Sequence, residues 1–337
     1  MADVASLAGV SPMTVSRAFK NPELVSEEAR ARIAQAVEQL GYVLDQTAGT
    51  LSSNRSGFIS ALVPSINSSN FSDTVRGLVD ALEVEGLQLL LGYTEHSAER
   101  EERLIETMLR RRPEGVVLTG GHHTERARKM LANAGIPIIE TWDVPANPIE
   151  SVVGFSNVSA SRALVRRLAE RGYKEIGFIG NTLEEGSRNA ERCAGYEEAI
   201  AEFGLPKGRI ISFTKPPVSI EQGAEALVQL VTRHPNIDAV VCVSDLSAFG
   251  AIMECHRRNW AVPGKIAVAG FGNFELASNC HPRISTLAID CYGIGRSAGQ
   301  ILLRSIAARR AGDSVSPETL LVPFQVLERE STLKPAS

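Results

Sequence analysis

Ser11-Pro12-Met13-Thr14-Val15-Ser16-Arg17-Ala18-Phe19 begins as a helix begins. The Ser11 hydroxyl can accept a backbone N–H left free in the first turn. Pro12 then takes the first helical position, where a missing N–H costs nothing. Val15 and Phe19 are spaced i, i+4 and share a face that can reach a core, leaving Met13, Thr14, Ser16 and Arg17 on the other faces. Upstream, Asp3–Ala8 reads as a first helix and Gly9-Val10 as the turn between the two. Helix, glycine turn, helix is the pattern whose second helix enters a DNA major groove, although a helical hairpin with no partner has the same spacing.

Downstream, Lys20-Asn21-Pro22 is a turn. Ser26-Glu27-Glu28 opens a third helix, with a capping hydroxyl and two acids at the positive end of the dipole. Ile33, Val37 and Leu40 form its apolar stripe, with Ala36 compatible, and Gly41 ends it. Asp45–Ser56 is small, polar and weakly helical, and Gly49 costs such a helix about 1 kcal/mol relative to alanine. This stretch reads as a linker that turns helical only with support. Its one large apolar residue, Leu51, either packs back on the head or wedges between bases in a minor groove. Residues 1–56 carry five basic and six acidic side chains, a net of -1. Phosphate neutralisation drives DNA affinity, so a single head is expected to bind weakly.

Five pieces fall in one order and spacing: Asp3-Val4-Ala5, Ala8-Gly9-Val10-Ser11, Thr14-Val15-Ser16-Arg17, Val25-Ser26 and Leu40-Gly41-Tyr42. Together they resemble the head of the LacI family of bacterial repressors. The resemblance implies that Ser11, Pro12, Met13, Thr14, Ser16, Arg17 and Leu51 bind DNA. Pro12, Met13 and Arg17 would read bases, Thr14 and Ser16 would hold phosphates, and Leu51 would enter the minor groove from a hinge helix. Arg17 can bond guanine O6 and N7 bidentately, and Pro12 and Met13 offer apolar contact to a thymine methyl.

The chain has 337 residues, 44% of them hydrophobic, and a net charge of -4, which suits large cores and two or three domains. Its five cysteines lack CxxC spacing and read as buried thiols of a reducing cytoplasm. No leader and no membrane-spanning run is evident. From Gly57 the pattern becomes strand and helix in alternation. Strands are expected at Phe58–Val63, Leu87–Gly92, Gly115–Thr119, Ile136–Trp142, Glu175–Gly180, Asp238–Val243 and Lys265–Gly270, with amphipathic segments between them. That alternation predicts doubly wound parallel sheets with ligands beyond the strands' carboxyl ends.

The expected fold is therefore a small all-α head plus an α/β, two-lobed body that resembles the LacI-family effector domain and periplasmic sugar-binding proteins. The expected divisions are a head at 1–44, a hinge at 45–56 and a body at 57–337. By the resemblance, lobe one spans about 57–156 and 291–322, and lobe two about 157–290 and 323–337. No leucine heptad follows Leu333, so a homodimer on palindromic double-stranded operator DNA is expected.

Candidate effector contacts sit just after strand ends: Ser65, Asn67 and Phe71, then Trp142 and Asp143, Phe155 and Asn157, Arg188 and Arg192, Ser244 and Asp245, and Gly272 and Asn273. Arg192, in Arg192-Cys193-Ala194-Gly195-Tyr196, matches the family's effector-contacting arginine. Gly272 stands where several sugar-binding relatives carry an aspartate. Two arginines and one fewer acid favour a carboxylated ligand, which a guanidinium holds bidentately. Val63-Pro64-Ser65, Gly115–Thr119, Glu140–Asp143 and Val153-Gly154-Phe155 further resemble the gluconate-utilisation repressor subgroup, implying a sugar-acid effector.

Trp142 and Phe155 are as readily core as stacking platforms, and Arg188 and Asp143 as readily surface charges. His122-His123 lacks a second cluster at metal-ligand spacing. No GxGxxG, GxSxG, Walker A or HExxH pattern occurs, so no cofactor, metal or catalysis is expected. A ligand-released repressor is favoured over a sugar-binding receptor without a DNA role, and over a regulator that answers a neutral sugar or acts with a corepressor.

Overall fold

A computed structural model of the chain describes residues 1–43, 56–181, 187–214 and 217–333. They divide into two compact units, Met1–Ser56 and Gly57–Ser337. The first unit holds α1 (Ala2–Ala8), α2 (Pro12–Lys20), a 3-10 turn (Pro22–Leu24) and α3 (Glu27–Leu40). Gly9 ends α1 at φ 64°, a left-handed conformation that glycine adopts freely. Ser11 Oγ accepts the Thr14 backbone N–H at 3.1 Å, and Ser26 Oγ accepts that of Ala29 at 3.4 Å. Gly41 closes α3 at φ 57°.

The core of this unit is Val4, Ala5, Ala8, Val15, Ile33 and Ala36. Phe19 and Leu40, expected to share it, are 40% and 46% exposed. Three short helices close around mostly small side chains, and Ala18, Val37 and Tyr42 cover the remainder. The linker stretch with Leu51 falls in residues 44–55, outside the described residues.

The second unit contains two six-stranded sheets. The first is built from β1 (Phe58–Val63), β2 (Gln88–Tyr93), β3 (Val116–Thr119), β4 (Ile138–Thr141), β5 (Ser151–Gly154) and a returning strand, β11 (Thr319–Leu321). Its order is β11-β5-β4-β3-β1-β2, parallel throughout. The second is built from β6 (Ile176–Gly180), β7 (Ile210–Ser212), β8 (Ala239–Cys242), β9 (Ala267–Phe271), β10 (Ser285–Ile289) and β12 (Phe324–Leu327). Its order is β12-β10-β9-β8-β6-β7, parallel except where β12 runs against β10.

Helices fill the connections: α4 (Ser69–Glu83), α5 (Ala98–Leu109), α6 (Glu125–Ala132), α7 (Asn157–Glu170), α8 (Arg188–Glu202), α9 (Ile220–Arg233), α10 (Asp245–Arg257), α11 (Glu275–Asn279) and α12 (Cys291–Ala311). The chain crosses between sheets after β5, after β10 and after β11. The strands expected from apolar runs are present. Strands β5, β7, β10, β11 and β12 were not singled out. They span three to five residues, too short for a run to stand out from its flanks.

Helices α4 and α12 pack with their backbones nearly touching. A Cβ on Gly295 would lie 1.8 Å from the Thr74 carbonyl oxygen, and one on Gly77 2.2 Å from that of Tyr292. Neither helix can yield without leaving the first sheet. Gly295→Ala is therefore expected to destabilise the body by roughly 1–3 kcal/mol, the usual cost of overpacking. A drop in urea midpoint with unchanged slope checks this, and an unshifted midpoint would contradict it.

Candidate functional site

A cavity of about 840 Å³ lies between the carboxyl ends of the two sheets. Pro64 and Ser65 follow β1, Tyr93 and Thr94 close β2, Gly120 follows β3, and Trp142 and Asp143 follow β4. Opposite them lie Asn181 after β6, Val243 and Ser244 after β8, and Phe271 and Gly272 at the end of β9. This is the position a doubly wound sheet offers a ligand.

Two arginines from the first turns of α8 enter the cavity wall. Ser187 caps that helix. Arg192 is buried, donating from Nε to Asn157 Oδ1 at 2.9 Å and from Nη1 to the Val243 carbonyl at 2.8 Å. Its guanidinium lies 3.6 Å from the centroid of the Phe271 ring. Arg188 lies over Phe71 and Trp142, 5.4 and 5.9 Å from their centroids. Among the described residues neither arginine has a carboxylate within ion-pairing distance. Burial, then Arg188, pulls Arg192 down to about 9. Burial also lowers Arg188, against the pull of Asp143 and Glu191.

The aromatic wall is rigid. Phe71 meets Trp142 edge-on at 5.1 Å. Trp142 meets Phe155 at 6.1 Å, and Phe155 stacks on Phe271 at 6.3 Å. Trp142 holds φ 70°, a strained backbone for a bulky residue. Three contacts hold it there. Its N–H donates to Val153 O at 3.1 Å, its carbonyl accepts Asn157 Nδ2 at 3.1 Å, and its ring N–H donates to Thr74 Oγ1 at 3.2 Å. Gly154 lets the turn sit this close, since a Cβ there would lie 2.1 Å from the Asp143 carbonyl oxygen.

Of the residues singled out from sequence, Ser65, Asn67, Phe71, Asp143, Arg188, Arg192 and Ser244 line the cavity, as do Trp142 and Gly272. Phe155, Asn157, Asp245 and Asn273 are not among the lining residues, Asn157 being taken up by Arg192 and the Trp142 carbonyl. Phe155 is spent in the aromatic stack. Asp245 is buried and accepts Thr286 Oγ1 at 2.6 Å and the Phe274 N–H at 2.7 Å. Burial raises it to about 6 against those bonds. Asn273 turns its Oδ1 to Arg329 at 2.6 Å. Gly272 sits at φ 121°, and a Cβ there would meet Phe274 at 2.6 Å and Asn70 at 2.7 Å. Asn70 Nδ2 donates to the Gly272 carbonyl at 2.9 Å, so an aspartate has no room at this position.

Sequence reasoning passed over His96 and Asn181. His96, at φ 59°, lines the cavity. Burial first, then Arg188 and Arg192, pushes it down to about 4, so it is a neutral imidazole. Asn181 is buried in the cavity wall, and its Nδ2 has no hydrogen-bond partner among the described residues. It directly follows β6, so the strand-end rule could have found it. An unsatisfied buried amide at a cavity wall is a place for a ligand or water acceptor.

His123, weighed above only against metal binding, lies behind this wall. Its Nδ1 is 2.5 Å from Glu101 of α5 and its Nε2 3.4 Å from Glu140 of β4. Glu140 also accepts the Ile149 N–H at 2.6 Å. Burial works against the charged ring, but the hydrogen bonds and charges of the two glutamates prevail and raise it to about 9.

In the smaller unit, Ser11, Pro12, Met13 and Arg17 are exposed and Thr14 and Ser16 partly so. Met13 is 68% exposed. The polar face of α2 is thus free for a partner. Among the described residues no helix is long and apolar enough to cross a membrane.

Both units match known families. Residues 1–45 match the bacterial regulatory proteins of the lacI family, and residues 165–332 a periplasmic binding protein-like domain. The chain is 35% identical to the HTH-type transcriptional regulator GntR of Pseudomonas aeruginosa over 98% of this chain and 94% of that one. It is 33% identical to the GntR regulator of Escherichia coli (strain K12) over 96% and 95%. A solved LacI-family transcriptional regulator from Silicibacter pomeroyi superposes with a TM-score of 0.89 at 31% identity, covering 98% of both chains. The chain belongs to the LacI family of bacterial regulatory proteins. It is a DNA-binding transcriptional regulator rather than an enzyme, and its resemblance to the gluconate-utilisation subgroup stands.

Removing His123 leaves two buried glutamates facing each other, which costs roughly 3–5 kcal/mol for a broken buried pair. His123→Gln is expected to destabilise the body accordingly. The ring's folded value of about 9 lies above its ordinary 6.5. Its stabilisation is therefore fully present below about pH 6.5 and fades as pH rises through about 9. Denaturation across that range should show wild type and variant converging at high pH, and a constant gap would contradict the assignment.

Proposed function

We propose that this regulator represses genes for sugar-acid catabolism, and that a gluconate-like effector bound between the lobes releases it from DNA. The observation that carries the reading is the pair of cavity arginines without a carboxylate ion-pair partner among the described residues. A carboxylated ligand supplies that partner with charge-assisted bonds. Gly272, Asn181 and the Phe71–Trp142 wall add support. Hydroxyls can meet the unsatisfied Asn181 amide, and the sugar's C–H face can meet the rings. The effector contacts are Ser65, Asn67, Phe71, Asp143, Arg188, Arg192 and Ser244. The names of the relatives support the same class.

DNA recognition falls to Ser11, Pro12, Met13, Thr14, Ser16 and Arg17 of a homodimer on a palindromic operator, with Leu51 at the hinge. Release requires the effector to prefer the state in which the two heads no longer fit the operator.

Calorimetry of the full chain against gluconate, ketogluconates and neutral hexoses tests the effector. Arg188→Ala should weaken gluconate roughly tenfold to a hundredfold, the worth of a charged hydrogen bond of about 1.5–3 kcal/mol, while leaving any hexose binding nearly unchanged. Equal hexose and gluconate affinity would sink the sugar-acid reading.

On an operator selected from random palindromic duplexes, Arg17→Ala should cost about 1–3 kcal/mol and relax the preference at one base per half-site. Mobility shift on base-substituted operators reads both effects. Unchanged selectivity would remove Arg17 from base reading.

A further inference from the structure

Helix α5 buries one stripe, Glu101, Ile105 and Met108, spaced i, i+4 and i+7. An acid on such a stripe is costly unless it is paired. Glu101 is paired through one oxygen. Its Oε1 lies 2.5 Å from His123 Nδ1, and His123 Nε2 lies 3.4 Å from Glu140 Oε1. Its Oε2 has no hydrogen-bond partner among the described residues. Of the three side chains, Glu101 lines the cavity and the other two do not. His123 and Glu140 are fully buried behind the wall. They hold Glu101 from the back and leave its second oxygen for whatever enters the cavity.

Resting on the reading of this cavity as a sugar-acid site, we propose that Glu101 determines specificity. Its free oxygen accepts the hydroxyl at the end of the ligand opposite the carboxylate, so the cavity selects an aldonic acid and rejects a molecule that is acidic at both ends.

The chemistry of the donor set supports this. Burial lowers the His123 ring, but the two glutamates raise it to about 9. At neutral pH the ring is protonated on both nitrogens and can only donate, so Glu101 is the acceptor of that bond. A carboxylate accepts only from a donor, whereas an amide or hydroxyl would take a ligand hydroxyl or a ligand carboxylate alike.

The placement of charge supports it as well. Glu101 is out of ion-pairing reach of both arginines. The acids whose charges act on Arg188 are Asp143 and Glu191, and Asp143 Oδ1 already accepts the Val144 N–H at 2.8 Å. The cavity thus has a cationic wall at α8 and a separate acidic wall at α5. A ligand carboxylate at Arg188 leaves the far hydroxyl to donate to Glu101, a charge-assisted bond. A second carboxylate in that place would meet Glu101 with no cation between them. Asn181 Nδ2, buried and without a partner among the described residues, independently marks this cavity as a place that receives a polar ligand.

The test is calorimetry of the full chain at neutral pH with three acids that differ only at C6. D-gluconate carries a hydroxyl there, 6-deoxy-D-gluconate a methyl group and D-glucarate a carboxylate. The wild type should bind gluconate roughly tenfold to a hundredfold more tightly than 6-deoxygluconate, and should reject glucarate at least as strongly. Glu101→Gln, whose amide can donate to a carboxylate, should narrow the gluconate-to-glucarate ratio at least about tenfold. A purely structural role would move all three affinities together. The wild-type comparison needs no variant, so it decides the matter even if Glu101→Gln does not fold. Equal wild-type affinity for gluconate and 6-deoxygluconate, or for gluconate and glucarate, overturns the role of Glu101 while leaving the sugar-acid reading intact. An unchanged ratio in folded Glu101→Gln does the same. No binding of any of the three acids overturns both.

Discussion

The geometry of the body depends on the buried guanidinium of Arg192. A charge taken out of water is tolerated only if its donors are satisfied and its face is covered. Asn157 and the Val243 carbonyl take two of its N–H groups, and the Phe271 ring covers one face. Asn157 stands where the chain first crosses from the first sheet to the second. Its amide also holds the carbonyl of Trp142 in a strained left-handed turn. One guanidinium thus fixes the start of α8, the crossover and the Trp142–Asp143 corner together. Arg188 enters the cavity wall because α8 is anchored by Arg192.

This arrangement gives the cleft two different surfaces. One is aromatic, with Phe71, Trp142 and Phe271 at the cavity and Phe155 packed between the last two behind them. The other is electrostatic, with the guanidiniums of Arg188 and Arg192, the Asp143 carboxyl and the neutral His96 imidazole. A polar ligand that lies between them can bridge the lobes, because Arg188 rests on rings of the opposite lobe and Asn70 donates to Gly272 across the same gap. Such a ligand acts on the lobe arrangement through the groups it contacts, which is what a regulator needs if a small molecule is to alter a DNA-binding state. Behind the wall, the buried His123 ties α5 to β4 and stiffens lobe one without entering the cavity.

The DNA-binding unit works by a different economy. Its core is small, and caps at Ser11, Gly9, Ser26 and Gly41 supply much of its definition. The side chains of α2 that remain outside, Pro12, Met13 and Arg17 foremost, are free for a partner.

The sequence by itself determined the local structure. Hydroxyl and proline at a helix start, glycine at a helix end, and apolar runs of strand length act over a few residues, so they are legible without the fold. The strand-end rule likewise placed Ser65, Asn67, Asp143 and Ser244 at the cavity, and would have placed Asn181. Only the tertiary structure decided which strand-end residues turn inward. Phe155 is claimed by its ring neighbours, Asp245 by Thr286 and Asn273 by Arg329, partners 41 and 56 residues away in the last two cases. The same packing brought in His96 and the His123–Glu101–Glu140 cluster, whose charges mean little until folding removes water from around them. Side-chain direction and protonation are set by neighbours distant in sequence, and no local pattern encodes them.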